Sequence, residues 1–161
     1  MAATVVRIAA ILALLAVPAF ADRAADVLAQ ITYAANALSN NNPSDALEPF
    51  DKACPNYDQI KDDFNGLTNS FAIRNELSVT DEDDSAETET KITINWTITL
   101  TPRSGQNQAN GRDDYSAQVN REDATEQRTG DLELRLVLKK GKWKIVSFSP
   151  ITIFDPQTKQ K

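Results

Sequence analysis

The side chains that could do chemistry in this chain are carboxylates and phenols, because the sequence contains no histidine. Without an imidazole, serine–histidine and cysteine–histidine catalysis is excluded, and nearly every zinc-binding arrangement is lost. Asp51 and Asp58 are the candidate catalytic residues, and Tyr33 and Tyr57 are candidate oxyanion donors. A carboxyl group buried in an apolar site has a raised pKa and can move a proton next to a carbonyl. Both aspartates also flank short helices, where aspartates commonly cap a helix or carry a solvated charge.

The other clusters of reactive residues favour structural roles. The acidic run at 81–84 lacks the glycine and glutamate spacing of a calcium-binding loop, so it predicts a polar hairpin turn over 81–85. Four lysines between 139 and 144 fit a solvated hairpin tip better than an anion site. Cys54 is the only cysteine, which excludes an intramolecular disulfide and favours a small buried side chain over a reactive thiol. We therefore expect no metal and no cofactor.

Three helices precede the strands. Apolar residues spaced by three and four predict a helix from Asp22 to Ser39. Asn42 followed by Pro43 predicts the start of a short second helix through Phe50, and a third helix begins near Pro55. The third helix carries its apolar face at the positions Tyr57, Ile60, Phe64, Leu67 and Phe71.

The strands follow, with alternating apolar residues. Ile73, Leu77 and Val79 mark the first. The second is the clearest and has its apolar face at Ile92, Ile94, Trp96, Ile98 and Leu100, opposite a face rich in threonine. Residues 102–127 are polar and loosely patterned, with a weak edge strand at Tyr115, Ala117 and Val119. A strand with Leu132, Leu134, Leu136 and Leu138 then turns at 139–142 into a last strand from Trp143 to Ile153. That last strand changes phase near Ser147, which indicates a bulge.

Helices followed by antiparallel strands predict an α+β fold, in which a strongly twisted sheet wraps a helical layer as a half-open cone. A pocket in such a cone would be lined by Tyr33, Phe50, Tyr57, Phe64 and Trp96. Arg74 and Asn95 would reach it only if their strands presented the opposite faces.

The N-terminus predicts export. Arg7, an apolar stretch from 8 to 17 and the small residues Ala19 and Ala21 are typical of a cleavable signal peptide at 1–21, and an uncleaved membrane anchor is the alternative. Residues 22–161 then form a single domain in the periplasm or outside the cell. Its net charge, −6 for the whole chain, disfavours nucleic acid as a partner, and it disfavours a membrane surface once the signal peptide is removed.

These elements resemble the nuclear transport factor 2-like (SnoaL-like) superfamily, and most closely its exported bacterial members of uncharacterised function. The resemblance covers most of residues 22–154. It is carried by Asn42-Pro43, Phe50-Asp51, Pro55-Asn56-Tyr57, the hairpin from Leu136 to Val146, and the closing Phe154-Asp155-Pro156. It implies a cone-shaped fold and a possible homodimer through the outer face of the sheet. The superfamily contains both enzymes and binding proteins, so the fold alone does not assign an activity.

Three functions remain open from the sequence. The first is non-catalytic binding of a small apolar ligand or a protein partner in the cone pocket. The second is a carboxylate-dependent isomerase or cyclase. The third is a structural or dimeric accessory role. An enzyme requires a buried aspartate near a tyrosine, and a binder of apolar ligands requires an apolar pocket of several hundred cubic ångströms, roughly 300–1,000 Å³.

Overall fold

The computed structural model describes residues 18–103 and 125–157. It contains helices α1 (Pro18–Ser39), α2 (Pro43–Ala46) and α3 (Tyr57–Ser70), followed by strands β1 (Phe71–Ala86), β2 (Glu89–Pro102), β3 (Glu126–Lys139) and β4 (Lys142–Ser149). A 3-10 helix, Thr152–Phe154, comes after the last strand. The predicted strand at 115–119 lies outside the described residues, as does most of the predicted signal peptide. Within the described part, no helix is long and apolar enough to cross a membrane.

The predicted α+β class is confirmed. The strands form one antiparallel sheet in the order β1-β2-β3-β4, so each strand pairs with its neighbour in the chain. The apolar face of β2 is buried along its whole length, and the opposite face is only half-buried. The helices cover the apolar face, and the curved sheet with its helical layer makes the predicted cone.

The helix ends follow from local residues. Asn41 adopts a left-handed backbone conformation just after α1. The Asn42 side chain then accepts a hydrogen bond from the Asp45 amide, and Pro43 occupies the first position of α2. This cap confirms the predicted start of the second helix, but α2 has only four residues, because the chain turns at Leu47 and does not continue helically to Phe50.

Two predicted boundaries are wrong. The expected acidic turn over 81–85 is part of β1, which continues to Ala86 and pairs Asp81 with Thr93 and Asp83 with Lys91. These acidic residues fit in a strand because a bulge after Val79 places Asp81 on the same outer face as Thr93. On that face the Asp81 carboxylate is exposed to solvent. The last strand ends at Ser149, and the apolar Ile153 belongs to the 3-10 helix. The predicted bulge is confirmed, since the β3–β4 register shifts between Arg135 and Leu136.

Three apolar residues that were expected to face the core are partly exposed. Leu28 on α1 is 38% exposed, Val79 at the bulge of β1 is 43% exposed, and Leu138 at the tip of the last hairpin is 39% exposed. Cys54 is 4% exposed, which confirms that it is a buried side chain.

Aromatic rings fill the centre of the cone. Phe154 lies with its ring centroid 5.3 Å from that of Phe64, 5.1 Å from Trp96 and 5.5 Å from Phe148. Phe50 packs edge-on against Phe64 and Phe148 from the helical side. Edge-to-face packing of this kind stabilises beyond simple burial. The 3-10 helix thus places a ring from the C-terminal end of the chain at the middle of the core.

Candidate functional site

The predicted pocket residues divide between the core and the surface. Phe64 and Trp96 are at most 1% exposed and belong to the aromatic cluster. Phe50 is also buried, although its edge reaches a surface cleft. Tyr57 is half-buried at the same cleft, whereas Tyr33 is 42% exposed on α1. The five residues therefore do not line one common cavity.

Three adjoining clefts open on the helical side of the cone, and we call them together the helical-side groove. The central cleft has a volume of about 540 Å³ and shares Leu47, Lys52 and Tyr57 with a second cleft of about 480 Å³. It shares Glu48 and Lys144 with a third cleft of about 440 Å³, which reaches α1 at Tyr33. The groove therefore extends continuously from Asp58 and Lys61 on α3, past α2, to α1 and the β3–β4 hairpin.

Several carboxylates of the groove already have donors within the chain. Asp51 accepts a 2.5 Å bond from the Lys139 ammonium, and Glu48 accepts a hydrogen bond from the Tyr33 hydroxyl. Asp45 accepts one from the side-chain amide of Asn42. By contrast, Lys52 and Lys61 make no ion pair with any described residue. The groove therefore offers unpaired ammonium groups beside the Tyr57 ring.

The two predicted catalytic aspartates are surface groups in different settings. The hydrogen bond from Lys139 lowers the pKa of Asp51, helped by the backbone amide of Ala53. A proton shuttle needs the opposite shift. Asp58 is exposed in the first turn of α3, where a negative charge suits the helix dipole. The Asp51 carboxylate links the chain after α2 to the β3–β4 hairpin.

A buried carboxyl group that the sequence reasoning missed lies on α3. Asp63 is 8% exposed, and its Oδ2 atom has no hydrogen-bond donor among the described residues. Burial raises the pKa of Asp63 to about 6, with smaller contributions from the negative charges of Asp155 and Asp62. The position is visible in the sequence as an interruption of the apolar face, because it is three residues after Ile60 and one before Phe64.

Arg128 is the second buried charge that the sequence reasoning missed, because residues 102–127 and those just after them show no clear alternation of apolar residues. It is 1% exposed on the inner face of β3 and forms a two-point ion pair with Glu126 at 2.9 and 3.2 Å. Its Nη1 atom also donates to the carbonyl oxygens of Ile153 and Asp155. A buried guanidinium is stabilised by such a full set of acceptors.

The outer face of the sheet is polar. Asn95 donates to Asp131, and the hydroxyls of Thr97 and Thr129 share a hydrogen bond. Asn95 and the exposed Arg74 therefore lie on the face away from the cone, which is the orientation read from the sequence. The homodimer expected through this face stays a prediction. The described residues contain no group of three or more acidic or cysteine side chains placed to hold a metal ion.

Solved structures with the same fold come from several bacteria. A ketosteroid isomerase-like protein from Erwinia carotovora aligns with a TM-score of 0.54 and 10% identity over 78% of this chain and 96% of its own. A nuclear transport factor 2-like superfamily protein from Salmonella enterica gives 0.53 and 15% over 81% and 92%. A protein provisionally named scytalone dehydratase from Novosphingobium aromaticivorans gives 0.61 and 15% over 81% and 83%.

These alignments show that the chain has the nuclear transport factor 2-like fold, as the sequence resemblance implied. No protein-family model matches the sequence, and no curated protein is significantly similar to it. At such low identity the likeness concerns the fold alone. Activity has to be argued from the residues of this chain.

Proposed function

We propose that this chain, with its nuclear transport factor 2-like fold, is a non-catalytic binding protein that takes an acidic polypeptide segment in the helical-side groove. One observation carries the proposal. Three of the five aromatic residues expected to line an internal pocket, Phe50, Phe64 and Trp96, pack instead in the cluster that contains Phe154. Tyr57, Lys52 and Lys61 remain accessible in an open groove.

The shape of the groove supports a polymer over a small apolar molecule. Small-ligand pockets usually enclose roughly 70–90% of the ligand surface in a mainly apolar lining. Here the three clefts are open and join end to end. The central cleft is lined by charged groups together with Leu47, Phe50 and Tyr57. An extended peptide can follow such a groove and place alternate side chains in successive clefts.

The charges in the groove support an acidic partner. Asp45, Glu48 and Asp51 already accept hydrogen bonds from groups of this chain, so they are less available to a basic partner. The ammonium groups of Lys52 and Lys61 have no ion-pair partner among the described side chains, and both residues line the same cleft as Tyr57. Carboxylates of a bound segment would supply the missing counter-charges.

Site-specific photo-crosslinking in the natural host tests the proposal. The photoreactive residue benzoylphenylalanine replaces Tyr57 in the groove and, as a matched control, Gln127 on the outer face of the sheet. We expect the Tyr57 position to crosslink one protein repeatedly through an acidic segment, and we expect the crosslink to weaken in the Lys52→Glu/Lys61→Glu background. Equal crosslinking from Gln127, or a crosslink insensitive to the two charge reversals, would contradict the proposal.

A carboxylate-dependent isomerase is the second candidate, and Asp63 is the observation that favours it. Its carboxyl group is buried on α3 and has the raised pKa that a general base at neutral pH requires. The test is solvent deuterium exchange next to the carbonyl of a cyclic ketone. Exchange by the natural protein that is lost in Asp63→Asn, and kept in Asp62→Asn, would favour the enzyme. No exchange above buffer would leave the binding role.

A further inference from the structure

The last described residues of the chain form a strap that packs against one helix and one strand of the cone. This C-terminal strap, residues 151–157, lies between α3 and β3. On the α3 side, a methyl group placed on Gly66 would come within 2.9 Å of Pro156; on the β3 side, one placed on Gly130 would come within 2.8 Å of Ile153. Glycine on both neighbouring elements lets the strap approach this closely.

Arg128 holds the strap from the β3 side. Its guanidinium donates to the Ile153 carbonyl at 3.2 Å and to the Asp155 carbonyl at 2.5 Å, while Glu126 neutralises its charge. These bonds fix the strap backbone, and Phe154 occupies the core between them.

Asp63 faces the strap from the α3 side. It is one helical turn before Gly66, so the carboxyl group and the Pro156 contact share one face of the helix. The Asp155 carboxylate on the strap is close enough to disfavour ionisation of Asp63, and Asp62 on α3 acts in the same direction. Charged residues of the other elements packed on α3, Asp45 on α2 and Arg74 on β1, are exposed. Arg128 and Glu126 hold the strap from the opposite side.

We propose that the C-terminal strap is a pH-sensitive closure, which docks when Asp63 is protonated and loosens when Asp63 ionises. A neutral Asp63 can stay buried against the strap at little cost. An ionised Asp63 has a buried oxygen to which no residue in the described part of the chain donates, and a second carboxylate beside it. Movement of the strap relieves both. Loosening withdraws Phe154 from Phe64, Trp96 and Phe148, so it uncovers an apolar surface inside the cone.

The pKa of Asp63 places this change near neutral pH. Burial and the neighbouring carboxylates raise it from 3.8 to about 6, so the group changes charge between about pH 5 and pH 7. If the docked strap caused the whole of this shift, docking would weaken by up to about 100-fold as Asp63 ionises.

Amide hydrogen exchange across this pH range tests the closure in the full chain. The amides of Phe154 and Asp155 report the ordered strap, because they donate to the carbonyl oxygens of Ile151 and Thr152 in its 3-10 turn. The Ile145 amide, bonded to Pro49, is the internal reference. After correction for the intrinsic pH dependence, we expect strap protection to fall roughly 10- to 100-fold from pH 5 to pH 8, with protection at Ile145 unchanged.

Two matched variants make the test specific. Asp63→Asn should remove the pH dependence and keep the strap protected at pH 8, whereas Asp58→Asn, an exposed position on the same helix, should behave like the natural chain. Strap protection that stays constant with pH in the natural chain, or that falls equally in Asp63→Asn, would overturn the proposal.

A direct titration covers the case in which Asp63→Asn fails to fold. Carbon-13 NMR of the side-chain carboxyl groups in Asp155→Asn should show a lower pKa for Asp63 than in the natural chain. An unchanged pKa would show that the strap does not influence Asp63, and the closure would be rejected.

Discussion

The indole Nε1 of Trp96 on β2 donates a 2.8 Å hydrogen bond to the side-chain oxygen of Asn75 on the neighbouring strand β1. Asn75 in turn donates to the Ala35 carbonyl and to the Ser39 hydroxyl at the end of α1. One amide side chain therefore satisfies a buried indole and ties the first helix to the sheet. This network explains how a polar residue is accommodated on the inner face of β1.

Replacing Asn75 with leucine should destabilise the protein. The substitution leaves the Trp96 indole, which is 1% exposed, without an acceptor and removes both bonds to α1. Leaving a buried donor unsatisfied costs about 1–3 kcal/mol, so we expect a loss of about 2–4 kcal/mol in the free energy of unfolding by urea. Asn95→Leu on the outer face is the control and should change stability by less than about 1 kcal/mol. Equal losses for the two variants would contradict the role assigned to Asn75.

Phe154 should be a major source of stability despite its position near the C-terminus. Its ring is 1% exposed and contacts three other aromatic rings. Phe154→Ala should lower the free energy of unfolding by about 3–5 kcal/mol, because it leaves a cavity in the core. Thr152→Ala, an exposed neighbour in the same 3-10 helix, should cost less than about 0.5 kcal/mol. If denaturant melts showed little effect of Phe154→Ala, the ring would not be docked in solution.

The global stability should fall as the pH rises from about 4 to about 7. Asp63 has a higher pKa in the folded state than in the unfolded chain, so the folded state retains the proton over this range. The contribution is present below about pH 4 and is lost as the pH rises through about 6, with a total of about 1–3 kcal/mol. At pH 7, Asp63→Asn should therefore be more stable than the natural chain by that amount in urea unfolding.

The control for this prediction is Asp58→Asn, since Asp58 is exposed on the same helix. It should leave the pH profile of the natural chain in place. The opposite result would be a free energy of unfolding that rises between pH 4 and pH 7 in the natural chain and does not rise in Asp63→Asn. It would mean that Asp63 has a stabilising partner in the folded state.

Export predicts a defined N-terminus. If residues 1–21 are removed as a signal peptide, N-terminal sequencing of the protein from its host will read Asp22-Arg23-Ala24. Helix α1 begins at Pro18, and Val27 is its first buried residue from Arg23 onward, so such cleavage would leave Val27 and the buried residues after it in place. An intact Met1 would contradict export by cleavage.

Patterns of spacing predicted most of the fold. The period-two alternation of β2 and the Asn42-Pro43 cap each identified an element, because burial of one face and satisfaction of a helix end are local requirements. The extension of β1 through an acidic run was missed, since it depends on pairing with β2 across the sheet. Composition alone suggested a turn there.

The buried charges could not be predicted in the same way. Arg128 is buried because the strap, 25 residues later in the chain, brings two carbonyl oxygens to it. Asp63 lies one helical turn before Gly66, where Pro156 packs on α3, and the Asp155 carboxylate is close enough to raise its pKa. Gly130 was the available signal, since a glycine inside an apolar strand often marks the close approach of another segment.

The affinity of the groove for its partner tests the central claim most directly. The acidic segment recovered by crosslinking at Tyr57 is synthesised as a peptide and titrated calorimetrically into the full chain at about 150 mM salt, where charges beyond roughly 8 Å are screened. We predict that Lys52→Glu/Lys61→Glu raises the dissociation constant at least about 10-fold, because each reversed charge faces a carboxylate of the peptide. Lys91→Glu on the outer sheet face should change it less than about twofold. Equal affinities for the natural chain and the groove variant would contradict the assignment of the helical-side groove as the binding site.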